Sequence, residues 1–356
     1  MRPTRRTLLA ALLLAAGLVQ AAEAADSLRF SRLSVTDPGM NGIEAVSLLV
    51  PAGWRAEGGI QWFPEFSVQA NLLLTVSDPK TGAAVEFLPV QNFTYLTHMV
   101  VPMPRGANYL GNILWEPVPD AAPFVQRFYL PGALRHLQGG RLAGSAELPG
   151  VAQAVAQAYG GQSTVRAGRV RYEFSRDGRP WEEDVYVTLA FTPFPLGTLW
   201  GVHGAHSFRA PKGELDRLTP LLSTVVNTVR PTPQWYGGYR YVQQLFQNRM
   251  QQGIADAGNL SRRIAQNSEE IRQMFDASYR ERQASQDRIA RSWSEAIRGV
   301  ETYRDPYAGS AVELPSGYRD VWVSRRGEYL LSNQAGFDPN AGDTTEWQRM
   351  EVSAGR

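Results

Sequence analysis

Cysteine is absent from all 356 residues. Disulfides, thiol nucleophiles, thiolate metal sites, iron–sulfur clusters and a lipid-modified amino-terminal Cys are thereby excluded. Histidine is scarce, with His98, His136, His203 and His206 as the complete set. His203 and His206 sit on an expected strand, where residues three apart point to opposite faces. Only a bulge would bring both rings to one ion. Lysine occurs at Lys80 and Lys212 alone, so 34 of the 36 basic residues are scattered arginines. The Gly-x-Ser-x-Gly elbow, the phosphate-cradling Gly-x-x-x-x-Gly-Lys and the dinucleotide Gly-x-Gly-x-x-Gly fingerprint are all missing. No catalytic residue, metal ligand or cofactor is read from this sequence. What is present is a chain that is 43% hydrophobic and 20% charged, with nine Trp. That composition suffices to bury a sizeable core and excludes wholesale disorder.

The first 24 residues carry an address. Arg2, Arg5 and Arg6 precede the apolar run Leu8 to Val19, and Ala22-Glu23-Ala24 supplies a small-x-small cleavage site. This is the pattern of a secretory signal peptide, too short for a spanning helix. The expected location is periplasmic or extracellular. No second long apolar run follows, so no membrane span is expected after cleavage. The leader holds three arginines and one acid, a net of +2, which equals the charge of the whole chain. The mature protein is then near neutral, and nucleic acid is not an expected partner.

From Ser27 to about Arg230 the pattern mixes α and β. Ala45–Val50 reads as a strand stopped by Pro51-Ala52-Gly53-Trp54, and Asn71–Val76 and Ala84–Leu88 are two more, joined through Asp78-Pro79-Lys80-Thr81-Gly82. Asp120 is placed to cap a helix over Ala121–Tyr129, and Val151–Tyr159 is helical with Gly160-Gly161 as its stop. Arg169–Ser175 and Glu183–Thr192 are strands joined across Asp177-Gly178, with Val185, Val187, Leu189 and Phe191 on one face. Leu199–Phe208 continues the sheet. Thr219 then reads as the cap of a helix with Pro220 at its first position and Leu222, Val225, Val226 and Val229 as its stripe.

Val50-Pro51-Ala52-Gly53-Trp54 after the opening strand, and the strand–strand–helix finish with Ala210-Pro211, make residues 40–235 resemble the PsbP-like fold, the family of the extrinsic oxygen-evolving-complex protein. The resemblance implies an antiparallel sheet covered by helices, a binding or assembly role and no catalytic residues. The expected fold is thus α+β, an antiparallel sheet with covering helices, followed by a long helical connector and a small C-terminal β meander. The expected parts are a signal peptide (1–24), a PsbP-like domain (25–234), a connector (235–300) and a β module (301–356).

Over the connector, Gly253 and Gly258 should divide a first helix from a longer second one. Counted in heptads, Ile264, Ile271, Ser278, Ser285 and Ser292 would face Ser268, Phe275, Arg282, Ile289 and Ala296. Only four of these ten are large and apolar, so no coiled coil is expected and the chain reads as a monomer. Two apolar patches, Ile264–Phe275 and Ile289–Ile297 with Trp293, instead suggest a helix that docks its ends onto the two β-containing domains and leaves its middle in water. In the last part, Val312–Leu314, Asp320–Ser324, Glu328–Ser332 and Glu346–Glu351 read as strands, leaning on the rest through Trp322, Tyr329 and Trp347.

Two places merit attention as sites. Trp235-Tyr236-Gly237-Gly238-Tyr239-Arg240-Tyr241 gathers rings and glycines at the domain junction, and Gly58-Gly59-Ile60-Gln61-Trp62-Phe63-Pro64 is a second aromatic segment. Stacked rings beside polar groups can hold a sugar or peptide, so Trp235, Tyr236, Tyr239, Tyr241 and Trp62 are the ligand-binding candidates. The same rings could equally seal the helix onto the first domain. Glu182 and Asp184 share one strand face, as acid–base chemistry would need, although a hydrated strand entrance explains them as well. The expected function is a non-catalytic binding or assembly protein of the envelope, with an envelope protein or glycan as partner. The rival is a carboxylate-dependent hydrolase acting on an envelope polymer. The exported protein should begin at Ala25; amino-terminal sequencing that returned Met1 would overturn the export assignment.

Overall fold

The computed structural model describes residues 27–98, 102–252, 268–297, 299–341 and 345–353. The expected leader, Gly253, Gly258 and Ile264 lie outside the described residues. Two strands open the fold as an antiparallel pair, β1 (Ser27–Asp37) and β2 (Ile43–Pro51). Next come β3 (Arg55–Trp62), β4 (Ala70–Ser77), β5 (Ala84–Phe87), β6 (Asn92–Leu96), β7 (Asn108–Tyr109) and β8 (Asn112–Leu114). Helix α1 (Ala121–Phe124) runs into a π-helical turn over Val125–Tyr129. Beyond it are β9 (Arg141–Glu147), α2 (Pro149–Ala158) and the long meander β10 (Thr164–Arg176), β11 (Arg179–Phe194) and β12 (Gly197–Pro211). Helix α3 (Leu215–Asn227) and the short β13 (Arg230–Pro231) lead to α4 (Pro233–Gln252) and α5 (Ser268–Ala296). The chain closes with β14 (Val300–Arg304), β15 (Ala311–Pro315), β16 (Asp320–Ser324), β17 (Tyr329–Ser332) and β18 (Trp347–Arg349).

This is a mixed α+β fold with antiparallel sheets. The large sheet runs β3-β4-β5-β12-β11-β10-β9, with β6 added beside β12. Its spine is β10–β11, in register from Thr164↔Phe191 to Arg176↔Arg179 around the Asp177-Gly178 turn. Asp177 and Gly178 both have positive φ, as a two-residue hairpin turn of this kind demands. Period-two alternation gives the sheet two buried faces. Val185, Val187 and Leu189 pack against the segment containing Phe124, Val125, Leu134 and Leu137. Tyr186, Phe208 and Val85 face the other way, into the central core with Leu48, Val155, Leu222, Trp235, Ile271 and Trp293.

The second sheet runs β13-β2-β1-β17-β16-β18. The strands of the C-terminal part fall close to where the sequence puts them, but they do not make one meander: β14 and β15 form a two-stranded sheet, whereas β16, β17 and β18 join the second sheet. Residues Ser27 to Phe30 of β1 pair with Ser332 to Tyr329 of β17, so the two ends of the described chain share one sheet. Tyr329 and Trp347 are buried there.

The two apolar patches do not dock on two separate domains, as the sequence suggested, but reach the same central core: Ile271 and Phe275 from one, Ile289, Trp293 and, just past α5, Ile297 from the other. Arg280, Glu281 and Arg282 between them are exposed. Helix α5 lies close along α4 because Gly237 has no side chain. A Cβ there would sit 3.2 Å from both the Cα of Arg272 and the carbonyl oxygen of Ile271.

Helix α3 corrects two expectations. It starts at Leu215, four residues before Thr219, and Pro220 lies inside it. Thr219 is no cap, since its hydroxyl donates back to the Leu215 carbonyl at 2.7 Å. The cap comes from the neighbouring strand: Oε1 of Glu182 accepts from the backbone N–H of Gly213 (2.8 Å) and of Leu215 (3.1 Å). A carboxyl group at a helix amino terminus satisfies donors that have no partner within the helix, and it favours the dipole. Likewise, the Asp120 side chain makes no cap bond at α1 and lies instead 3.4 Å from Arg166. Glu182→Ala should cost roughly 2–3 kcal/mol, because two N–H groups lose their acceptor. Glu182→Gln should cost less, and Thr219→Ala only about 0.5 kcal/mol; denaturant titration of the three variants gives the order.

Candidate functional site

The aromatic candidates divide. Trp235, Trp62 and Tyr239 converge on Asp37, the last residue of β1, whose side chain is fully buried. Oδ2 of Asp37 accepts from Nε1 of Trp235 at 2.6 Å, and Oδ1 accepts from Nε1 of Trp62 at 2.9 Å and from the Gly39 N–H at 2.8 Å. Tyr239 stacks on Trp235 with centroids 5.3 Å apart and planes 4° off parallel, and tilts against Trp62 at 6.2 Å. Tyr236 points elsewhere. It meets α5, with its hydroxyl 2.9 Å from Ser278 and its ring against Tyr279 and beneath Arg282. Tyr241 is half-buried against the central core. The rings that share Asp37 come from β3 and α4, which lie far apart in sequence. A buried carboxyl group held by three N–H donors is satisfied where it stands.

The acids of β11 are not at a hydrated strand entrance, as the Asp177-Gly178 turn suggested. Glu182, Glu183 and Asp184 are all buried, because α3 covers one face and the segment around Leu134 and Leu137 covers the other. On the α3 side, Arg171 grips Asp184 with two bonds of 2.7 Å and Asp216 of α3 with one of 2.6 Å. Together with the Glu182 cap, this network fixes the first turn of α3 to the sheet.

On the opposite face Glu183 forms a second cluster that the sequence did not disclose. Its Oε2 lies 2.7 Å from Nε2 of His136 and 3.8 Å from Nη1 of Arg209. The same Nη1 is 3.8 Å from Glu86 on β5. The register explains the meeting: Glu183 pairs with Arg209, and Ser207, two residues along, pairs with Glu86. The two acids have opposite proton affinities. Burial, and then the charge of Glu183, push the Glu86 carboxyl above its ordinary value. Burial also works against ionisation of Glu183, but the His136 bond and the Arg209 charge outweigh it and hold this carboxyl below its ordinary value. Two carboxyl groups driven apart in this way are the arrangement from which acid–base pairs are built. Glu183, however, exposes none of its side chain. A reacting group would meet Glu86 or His136 first.

The histidine pair also departs from expectation. The β11–β12 ladder slips between Thr188 and Leu189, which leaves His203 as an extra residue on β12. The bulge turns both imidazoles toward the helices. His203 lies 3.0 Å from the Tyr159 hydroxyl, and His206 is caged by Tyr186, Phe208 and Trp293. Burial in that cage pushes His206 down to about 3, so it is neutral at physiological pH. Among the described residues, no group of three or more His, Cys, Asp or Glu could hold a metal ion.

A shallow cavity of about 170 Å³ lies between α1, β9 and β10. Arg166 spans it, 3.4 Å from Asp120 and 3.5 Å from Glu147, and both acids are largely exposed.

One further feature is an exposed apolar end. Tyr95, Phe194, Leu196 and Leu199 all lie where β6 meets the β11–β12 hairpin, and all are exposed. The signal in the sequence was a missing one: Val185 to Phe208 and Phe87 to Pro104 contain no Asp, Glu, Lys or Arg.

No protein-family model, curated protein or solved structure matches this chain. No helix among the described residues is long and apolar enough to cross a membrane.

If the rings at Asp37 are structural, Trp235→Ala should cost roughly 3–5 kcal/mol, since a large buried ring and a bond to a buried acid go together. Were they held ready for a ligand, the melting midpoint would barely move; thermal melts of Trp235→Ala and Trp235→Phe separate the two.

Proposed function

We propose that this chain is a non-catalytic binding or assembly protein of the cell envelope, exported by the leader at residues 1–24 and acting as a monomer. One observation carries the reading. The acids of β11 are already engaged, both Glu182 and Asp184, which the sequence offers for catalysis, and Glu183 between them. Glu182 caps α3, Asp184 is gripped twice by Arg171, and Glu183 is fully buried against His136. Groups committed in this way hold the fold together and have little freedom to exchange protons with a substrate. The antiparallel sheet with α2 and α3 packed on one face supports the PsbP-like reading of residues 40–235, which itself implies binding or assembly. Helices α4 and α5 then act as the connector that brings the C-terminal strands back to β1. The partner is an envelope protein or glycan, with Trp62, Trp235, Tyr236, Tyr239 and Tyr241 as the candidate ring surface.

A second reading, a carboxylate-dependent hydrolase acting on an envelope polymer, is favoured by Glu86 and Glu183. Both approach one nitrogen of Arg209, and their proton affinities differ. One experiment separates the two. The purified chain is incubated with envelope polymer, and partners are captured with it from the native compartment. The binding reading expects a retained partner and no released fragments, in wild type and in Glu86→Gln alike. Fragment release by wild type that Glu86→Gln abolishes would replace it with the hydrolase.

A further inference from the structure

The β11–β12 hairpin is polarised along its length. At the end away from its tip it carries Glu182, Glu183, Asp184 and Arg209, whereas the stretch from Val185 round the tip to Phe208 is free of Asp, Glu, Lys and Arg. Beside it lies β6, within the stretch Phe87 to Pro104, which also lacks Asp, Glu, Lys and Arg but holds the exposed His98 two residues past β6. Leu196 at the hairpin tip is 63% exposed, and Leu199, Tyr95 and Phe194 are 40%, 39% and 36% exposed.

The backbone of this tip is tied to the chain at the end of β6. The Leu196 carbonyl accepts from the Thr97 N–H at 3.0 Å and from the Thr97 hydroxyl at 3.1 Å. Pro195 has no N–H, and Phe194 pairs with Gly197. Gly197 lies so near β6 that a Cβ would stand 1.8 Å from the Tyr95 carbonyl oxygen, which holds the tip against that strand. A tip whose Leu196 carbonyl is doubly satisfied and which carries no Asp, Glu, Lys or Arg loses less on leaving water, which is what an interface with hydrocarbon favours.

We propose that this end docks on the surface of a phospholipid bilayer, with Phe194 and Leu196 entering the boundary between headgroups and acyl chains and Tyr95 and Leu199 flanking them. Two considerations select lipid over a second copy or another protein. Four partly exposed side chains offer roughly 300 Å² of apolar surface, well short of the ~800 Å² per partner that a stable protein interface needs. A tip without Asp, Glu, Lys or Arg also lacks the charged groups that fix the orientation of a protein partner, whereas a bilayer requires no matching shape. With no Lys or Arg in either segment, docking should need no anionic lipid at neutral pH.

The absence of Cys makes a local test clean, and a local readout is necessary because the apolar run Leu8 to Val19 can itself tether the full chain to lipid. An environment-sensitive dye is placed on Leu196→Cys and, as a control, on Met274→Cys, an equally exposed site on α5. Each labelled full-length chain meets vesicles of phosphatidylcholine alone or mixed with phosphatidylglycerol, at low and high salt. The expected result is a blue shift and loss of iodide quenching at position 196 with both vesicle types and at both salt levels, and neither change at position 274. Adding Phe194→Glu should abolish the shift at 196. Should that variant also lower the melting midpoint, the comparison of positions 196 and 274 still decides. The proposal is overturned if the dye at 196 stays as open to iodide as the dye at 274. It is equally overturned by a shift confined to anionic vesicles and lost in high salt. A shift that appears without lipid and grows with protein concentration would assign the tip to self-association instead.

Discussion

A buried carboxyl group at the end of β1 binds the parts of this protein together. Asp37 belongs to one sheet, Trp62 to the edge strand of the other, and Trp235 to the first turn of α4, and both indoles donate to that one side chain. Trp235 is 198 residues away in sequence. In an interior where an unpaired polar group costs a few kcal/mol, such a node tolerates little displacement of any of its three contributors. The stacking of Tyr239 on Trp235 and the close passage of α5 over Gly237 depend on the position it sets for α4.

The large sheet shows the same economy in its charges. Glu182, Glu183 and Asp184 are consecutive, so period two sends the middle one to one face and its neighbours to the other. On the α3 face the acids are consumed in capping and in the Arg171 grip. On the opposite face Glu183 meets His136, Arg209 and Glu86. Burial of such groups costs desolvation unless hydrogen bonds compensate, and the compensation here comes from elements distant in sequence. The β11–β12 hairpin thereby concentrates its charged side chains at one end and leaves its tip apolar.

How much was legible depended on whether the signal was local. Strands β2, β4, β5, β10, β11 and β12 were readable because each keeps one alternation or is bounded by a turn of Pro, Asp or Gly. Strand β1 was not. Leu28 and Phe30 face the core that contains Leu314 and Tyr329, while Leu33 and Val35, on the other parity, face the central core. Its apolar pattern therefore changes phase halfway, and period two appears broken. Of the ring candidates, the sequence could name Trp62 and Trp235 but not the acid they share, since Asp37 resembles any turn-forming aspartate. Glu86, His136 and Arg209 carried no motif at all. The apolar end was visible as two long stretches without Asp, Glu, Lys or Arg, a signal found only by asking what was missing.

By itself, then, the sequence determined the fold class, most of the strands, the helicity of residues 233–252 and 268–296, and the absence of thiol chemistry. These follow from spacing and composition, which act over a few residues. Tertiary structure decided that β1 pairs with β17, that Glu182 and not Thr219 caps α3, that His203 bulges to the same side as His206, and that Glu183 meets Glu86. Each of these is a choice of long-range partner, made where burial leaves a polar group or a strand edge to be satisfied. No local pattern encodes which distant residue will satisfy it.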